Sequence, residues 1–532
     1  MLVWLLVGCG AGNATQPSAA LVSSSAALEP ATIIAPRSAA EEKPNLLAVP
    51  DYGRLADEVD AHLYRQVVDR WYPLIVDEKA GGFGPHLKND WSPETGPERD
   101  NRFLVFQARM TWVAAEIAGR SPERRAAFER YARHGLDWLE KKQWDNAQGG
   151  FFWNVSKDGA PTTPEKHVYG IAFGMYASAT VAQKLKDERA RALALKTFQW
   201  LEQKAHDEKN GGYFEALSRE GKPLLSATDP KKTKDLIGTV YGRKSMNTHI
   251  HLLEALTALD AVAPEPKVHE RLAEVFALVR DKICDARGYL NLYFEPNWKP
   301  VPDVDSYGHD VETAFLLLEA AERLGRANEP ETQRIARALV DHALKFGWDA
   351  KYGGFYDQGP IEAPATVTDK GWWMQAEGLN ALLLMHELYG RSSPDYYKAF
   401  EAQWSFITRF QLDPKYGDWW NVVARDGKVL HPETGKGGEW KEAYHQSRAL
   451  MNTADRLRRL ATRSGARLAW SDGKNLRDGP RRPAGAVRST RQPPPLPLFR
   501  TSCSKNLPAE LACPPRRTKA LWQRAPARIR FW

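Results

Sequence analysis

Cysteine is nearly absent from this chain. Only Cys9, Cys284, Cys503 and Cys513 occur in 532 residues, and Cys284 alone lies in the central part, so neither a disulfide framework nor a cysteine zinc site can be built there. No Gly-x-Gly-x-x-Gly follows a candidate strand and no P-loop is present, which removes the usual handles for nucleotide phosphates. An even spread of positive charge is lacking too. The formal net charge is +8, but Ser464 to Trp532 holds fifteen Lys or Arg against three Asp or Glu, a net of +12 that leaves −4 for Met1 to Arg463. The basic character belongs to the tail, and a polyanion groove with a nucleic-acid partner is not indicated.

The ends differ from the body. "MLVWLLVGCGAG" is too short to span a membrane as an ordinary helix. It resembles a bacterial lipoprotein signal in which Cys9 would be acylated, although no Lys or Arg precedes it. Residues 1–9 are therefore expected to be a signal and 10–45, rich in Ala, Ser, Thr and Pro, a tether. That implies export, to the periplasm or to a membrane through lipidated Cys9; without it the protein would be cytoplasmic. Residues 46–463 form the expected folded domain. The Pro- and Arg-rich stretch 464–532 is read as a disordered tail without assigned function.

What the body does have is a repeat. Asp77-Glu-Lys-Ala-Gly-Gly-Phe83 recurs as Asp145 to Phe151, Asp207 to Tyr213, Asp285 to Tyr289, Asp349 to Phe355 and Asp413 to Trp419, starting 68, 62, 78, 64 and 64 residues apart. A period near 65 holds two ordinary helices and a loop. The paired glycines suit a turn at positive φ, and the following aromatic can pin that turn to a helix. The intervening segments, such as "VETAFLLLEAAERLG", carry helical periodicity. Twelve helices in six pairs predict an all-α fold closed as an (α/α)6 barrel, with an open helical solenoid as the alternative. The closed ring has a central funnel lined by the starts of the inner helices.

Polar residues gather at those starts. In "KSMNTHIHLLEALTAL", Asn247, His251 and Glu254 share a helix face that His249 does not, so His249 is assigned to structure. "SYGHDVE" puts His309 and Glu312 three apart, on one face. "KGWWMQAEG" contributes Trp372, Trp373 and Glu377, and the two indoles are not expected both to face the funnel. "GEWKEAYHQSRALM" supplies Trp440, His445 and Arg448, and Arg109 sits inside the apolar "FLVFQARMTW". Polar groups on buried faces are costly without partners, and histidines at equivalent helix starts suggest proton transfer near neutral pH. The glutamates can orient histidines, bind hydroxyls or satisfy helix amides. His249 and His251 diverge on a helix, so they make a poor metal pair; no metal and no cofactor is expected.

The motifs "KSMNTHIHLLEA", "SYGHDVE", "WWMQAEG" and "WKEAYHQSRALM", with "EKHVYGIAFGMYA" upstream, resemble the N-acylglucosamine 2-epimerase superfamily, and within it the cellobiose 2-epimerase branch. The resemblance covers about 51–462 in register with the repeats. It implies an (α/α)6 barrel and a metal-free aldose epimerase acting on a mono- or disaccharide with a free reducing end. It further implies that His309 and His445 are the acid/base pair; His251 matches a sugar-contacting position and is kept with them as a catalytic candidate. Arg109, Tyr169, Asn247, Glu312, Trp372 and Trp440 match sugar-contacting positions; Trp373 and Glu377 are added as candidates and Glu254 as an orienting group. The insert "LLSATDPKKTKDLIGTVYGR" departs from the pattern and leaves the sugar open. Two other readings stand beside this one. A glycoside hydrolase of the same fold would need two carboxyl groups flanking the scissile bond, and a non-catalytic carbohydrate-binding lipoprotein would need the tryptophans alone.

Overall fold

The computed structural model describes residues 50–96, 100–390, 392–393 and 395–475. The expected signal, the tether, most of the tail and Cys9, Cys503 and Cys513 lie outside the described residues. Twelve helices organise the rest as outer and inner partners: α1 (Tyr52–His62) outside, α2 (Leu104–Arg120) inside, α3 (Arg125–Trp138) outside, α4 (Val168–Leu185) inside, α5 (Glu188–Lys204) outside and α6 (Met246–Val262) inside. The second half continues with α7 (Pro266–Leu278), α8 (Tyr307–Arg323), α9 (Pro330–Phe346), α10 (Trp372–Tyr389), α11 (Asp395–Phe406) and α12 (Tyr444–Asn475), the even-numbered helices again inside. Each inner helix packs on the next, α12 returns to pack on α2, and α1 closes the outer layer against α12. The ring is therefore closed, as an (α/α)6 barrel, and no helix among the described residues is long and apolar enough to cross a membrane.

Sequence explains the two layers. Inner helices are buried almost all round, as in α10, where Leu379, Ala381, Leu382, Leu383 and Leu384 are all enclosed, so they need apolar side chains on every face. Outer helices are two-sided: α9 buries Ile335, Ala336, Leu339, Val340 and Ala343 and turns its charged residues outward. Their starts are marked by Pro266 and Pro330 in the first turn, where a missing N–H costs nothing, or by Asp187 accepting from the amides of Arg189 and Ala190.

The repeated phrase closes a turn after each outer helix. In its first copy the Asp77 carbonyl accepts from Gly81 N (2.8 Å) and its Oδ1 from Ala80 N (2.9 Å), while Gly81 and Gly82 sit at φ of +95° and +66°. The aromatic then inserts against an inner helix. A Cβ on Gly174 of α4 would meet Phe151 at 2.5 Å and one on Gly378 of α10 would meet Phe355 at 2.4 Å, so those helices carry glycine where the ring presses. Short antiparallel strands join neighbouring repeats, for example Lys244–Ser245 with Tyr293–Phe294 and Lys370–Gly371 with Val422–Val423. The first strand of each pairing delivers the chain into the first turn of an inner helix.

The C-terminal boundary differs from expectation. The backbone of α12 runs past Ser464 to Asn475, because no proline interrupts it before Pro480. The expected boundary between 463 and 464 thus falls within a helix, and the residues after Asn475 lie outside the described residues.

Candidate active site

Counting from the first residue of each inner helix, second and sixth residues lie about 40° apart and the fourth points away from them. The fourth residues face the turns. Gln107 of α2 exchanges two hydrogen bonds with the Phe83 backbone (2.7 Å each) and Gln375 of α10 does the same with Phe355 (3.0 and 2.7 Å). Asp310 of α8 accepts from Leu290 N (3.1 Å). His249 of α6 is the same kind of pin: its Nε2 accepts from Tyr213 N (3.1 Å) and its Nδ1 contacts the Ser245 carbonyl (2.8 Å). Burial holds its imidazole down at about 3, in its neutral form.

The opposite faces converge on a cavity of about 210 Å³. It is bordered by Arg109, Tyr169, Asn247, His251, His309, Glu312, Trp372, Trp373, Trp440 and His445. Both tryptophans of α10 reach it, although the two were not expected to face the funnel together; Trp372 is also buried in the core, as one of them was expected to be. They are the first two residues of the helix, and side chains there lean toward the N-terminus and the mouth rather than around the barrel of the helix. Glu377 does not border the cavity. It lies behind His445, fully buried, with Oε1 taken by His445 Nδ1 (2.6 Å) and Arg448 (2.8 Å) and Oε2 without a partner, so it is placed to hold the imidazole, one of the roles the spacing allows it.

The two outstanding histidines are anchored differently. His445 rests on Glu377, whereas His309 Nδ1 lies 2.7 Å from Ser306 Oγ. The Trp373 indole stands against both, 4.7 Å from the His309 ring centroid and 5.9 Å from that of His445. Burial lowers both imidazoles. His309 comes down to about 4 against the opposing pull of Glu312, and His445 falls well below the usual range, with Arg109 and Arg448 adding to the effect. Both rings are neutral at pH 7, the form that accepts a proton.

Beneath the cavity, Arg448 of α12 ties four inner helices together. It donates to Glu254, Glu312 and Glu377, and to the Tyr444 hydroxyl. Burial alone would raise the Glu254 carboxyl, but Arg448 and His251 hold it near 2, and its Oε2 lies 3.2 Å from His251 Nδ1. On the far wall Arg109 pairs with Glu442 (2.7 Å) and donates to the Tyr169 hydroxyl (3.1 Å). Arg109 Nε and Asn247 Oδ1 have no protein partner. Trp440 is 42% exposed at the mouth, edge-on to Phe103 at 4.9 Å. Glu442, Tyr444 and Ser306 were not singled out from sequence. The signal for the first two was present, since a Glu and a Tyr flank His445 on a stretch that also carries a buried Arg. A larger cavity of about 670 Å³ lies beyond Arg448, bordered by Trp112, Tyr176, Glu319 and Asp455. No histidine borders it, so it has no proton-transfer group of the kind gathered in the smaller one.

The family profile described as N-acylglucosamine 2-epimerase (GlcNAc 2-epimerase) matches residues 81–449, a span that contains every wall residue of the histidine cavity. The chain belongs to the N-acylglucosamine 2-epimerase family. It is 29% identical over 403 residues to a cellobiose 2-epimerase of Bacteroides fragilis, covering 74% of this chain and 97% of that one. A D-mannose isomerase of Marinomonas mediterranea is 24% identical over 412 residues, covering 73% and 94%. The solved cellobiose 2-epimerase of Spirochaeta thermophila superposes with a TM-score of 0.68 at 29% identity, over 78% of this chain and all of that one. Within the family the resemblance runs to the cellobiose 2-epimerase branch, and this epimerase is a carbohydrate isomerase.

Proposed function

We propose that this epimerase inverts C2 of a reducing-end aldose by moving protons between the sugar and His309 and His445. The observation that carries the reading is the pair itself: two neutral imidazoles on one small cavity, separately anchored by Ser306 and Glu377, with Trp373 against both. Once the ring opens, the C1 aldehyde acidifies the C2 hydrogen. One imidazole takes that proton as the C2–H electrons form the C1=C2 bond and charge moves to O1, giving a cis-enediolate. The second imidazole, neutral at rest, takes a proton from solvent once the anionic enediolate stands beside it and passes that proton to the opposite face of C2, and the C1 carbonyl re-forms. Glu377 accepts from His445 Nδ1 and leaves Nε2 as the basic nitrogen. Arg109, cationic and with a free Nε, is the donor suited to O1.

A β-linked glucose disaccharide of the cellobiose type is the favoured substrate. A volume of about 210 Å³ is below the roughly 300–1,000 Å³ of sites for larger ligands, which suits one sugar ring inside. The exposed face of Trp440 at the mouth suits a second. The mannose isomerase relative supports a second reading, in which the proton returns to C1 and a ketose forms. Incubation with cellobiose, glucose, mannose and N-acetylglucosamine in deuterated water, read by NMR, separates the two. Epimer labelled at C2 supports the proposal; ketose labelled at C1, or product without solvent deuterium, overturns it. Export through lipidated Cys9 stays part of the proposal, tested by labelling with a radioactive fatty acid and by its loss in Cys9→Ser.

A further inference from the structure

In five repeats the leading aspartate of the turn holds a cation from the chain entering the next inner helix. Arg102 reaches Asp77 (2.7 Å), Lys166 reaches Asp145 (3.2 Å), Lys244 reaches Asp207 (2.7 Å), Lys370 reaches Asp349 (2.9 Å) and Lys436 reaches Asp413 (2.7 Å). Except for Lys436, each of these cations stands two residues before its helix. Lys166 and Lys370 also lie over a ring of the following outer helix, Trp200 of α5 at 5.4 Å and Phe406 of α11 at 4.1 Å.

The fourth repeat inverts this. Its turn is two residues shorter, Asp285 to Tyr289, and Asp285 is served by Arg287 on the surface (2.9 Å). Two residues before α8 stands Asp305, fully buried. Opposite it, where α3, α5 and α11 offer Trp138, Trp200 and Phe406 to the cations of their repeats, α9 offers His342, and Asp310 enters from α8. His342 Nδ1 lies 3.1 Å from Asp305 Oδ2 and 3.8 Å from Asp310 Oδ2. All three side chains are more than nine-tenths buried. Neither oxygen of Asp305, nor Asp310 Oδ2, nor either nitrogen of His342 has a hydrogen-bond partner beyond these three side chains themselves.

Charge leaves this arrangement incomplete. Burial and the neighbouring Asp305 push the Asp310 carboxyl well above the usual carboxylate range, the response of two buried carboxyl groups that face one imidazole and have no lysine or arginine between them. Among the described residues two other groups of donors come as close together, and each already has its charge or its hydrogen bonds supplied by the protein. In Glu312–Glu377–His445 the cation is Arg448. In His167–Glu215–Asp235, His167 bonds Asp235 (3.0 Å) and Glu215 accepts from Ser245 and Thr248.

We propose that Asp305, Asp310 and His342 bind one divalent transition-metal ion of the zinc class, taking the place that a lysine or arginine fills in the other repeats. Two carboxylate oxygens and one imidazole nitrogen are a donor set for such an ion rather than for calcium. Its role is structural: it fastens the strand before α8, α8 and α9 to one another, one residue from His309.

The test uses the full chain, stripped with EDTA, dialysed and re-equilibrated with Zn²⁺. Metal analysis should find one equivalent per chain, and Zn²⁺ should raise Tm by several degrees. Asp305→Lys rebuilds the arrangement of the other repeats. It should weaken Zn²⁺ binding by more than roughly 100-fold and lose the Tm response while keeping epimerase turnover. Should that variant fail to fold, His342→Gln must show the same loss of binding. Wild-type protein that takes up no zinc, with Tm indifferent to Zn²⁺ and EDTA, would overturn the proposal, as would equal uptake by wild type and variant. None of these readouts depends on which sugar is the substrate or on which histidine moves the proton.

Discussion

The funnel-facing and turn-facing sides of the inner helices carry the same kinds of residue to opposite ends. His251 and His249 stand two apart on α6. The first borders the cavity beside Glu254, and the second holds the backbone of Tyr213. On α8, His309 borders the cavity and the adjacent Asp310 holds Leu290. On α10, Trp373 faces the cavity while Gln375 holds Phe355. Whether a buried polar side chain serves as reagent or as pin is decided by its count from the helix start. Residue type alone does not decide it: Gln, His and Asp all serve as pins because each can accept the turn's amide N–H.

The sharpest way to break that comparison is to remove the reagents. Replacing His309 or His445 with Asn should cut kcat by roughly 10² to 10⁴, with the double variant no worse than the weaker single one by the product of the two. The folded state should survive, as judged by thermal unfolding. A variant lacking only the reprotonating imidazole should still exchange the C2 hydrogen of the substrate for deuterium without forming epimer. Near-normal epimerisation by either single variant would remove that residue from the mechanism.

His251→Ala ranks next. It deletes a charge-assisted contact with Glu254, a class of interaction amounting to about 1.5–3 kcal/mol, so kcat/KM should fall roughly 10- to 100-fold. The pocket's depression of the histidines yields a smaller, pH-borne effect. Because burial brings His309 to about 4 and takes His445 well below its ordinary value, the neutral base persists below the usual histidine range. The acid limb of kcat/KM should therefore lie well under pH 6.5, and a limb centred at 6.5 would show that the rings are solvated in the working enzyme.

Much of this was legible in sequence because physics forces it there. A turn at positive φ needs its glycines, so the repeat announces itself, and the repeat fixes twelve helices and their register. The face holding Asn247, His251 and Glu254 follows from helical spacing. Other features depend on contacts across the ring. The carboxylates that meet Arg448 lie 71, 136 and 194 residues away in the chain, and no local pattern pairs them. That Trp372 and Trp373 both border the cavity depends on how first-turn side chains lean toward the mouth, which spacing does not show. Spacing likewise gives the face of Glu377 and not its depth, so it cannot choose between holding a histidine and meeting a sugar. The boundary at 464 rests on composition, which does not register a helical backbone that runs on to Asn475.

The smallest effect on activity comes from the pin. His249→Gln installs the side chain that α2 and α10 already use at this position, so turnover should stay close to that of the unaltered protein. Stability should change, and in one direction with pH. In the folded state His249 is held near 3, whereas in the unfolded chain it titrates near 6.5. Between those values the unfolded state binds the extra proton, so the histidine's contribution is retained above pH 6.5 and lost as the pH falls through the window. The slope is about 1.4 kcal/mol per pH unit, and glutamine has none. Urea unfolding at pH 7.5 and pH 5 should show the variant gaining on the wild type by about 2 kcal/mol at the lower pH. Parallel pH profiles would mean that His249 is solvated or charged in the native state. A loss of turnover like that of His251→Ala would mean that the turn-facing side of α6 shapes the site as directly as the funnel-facing side.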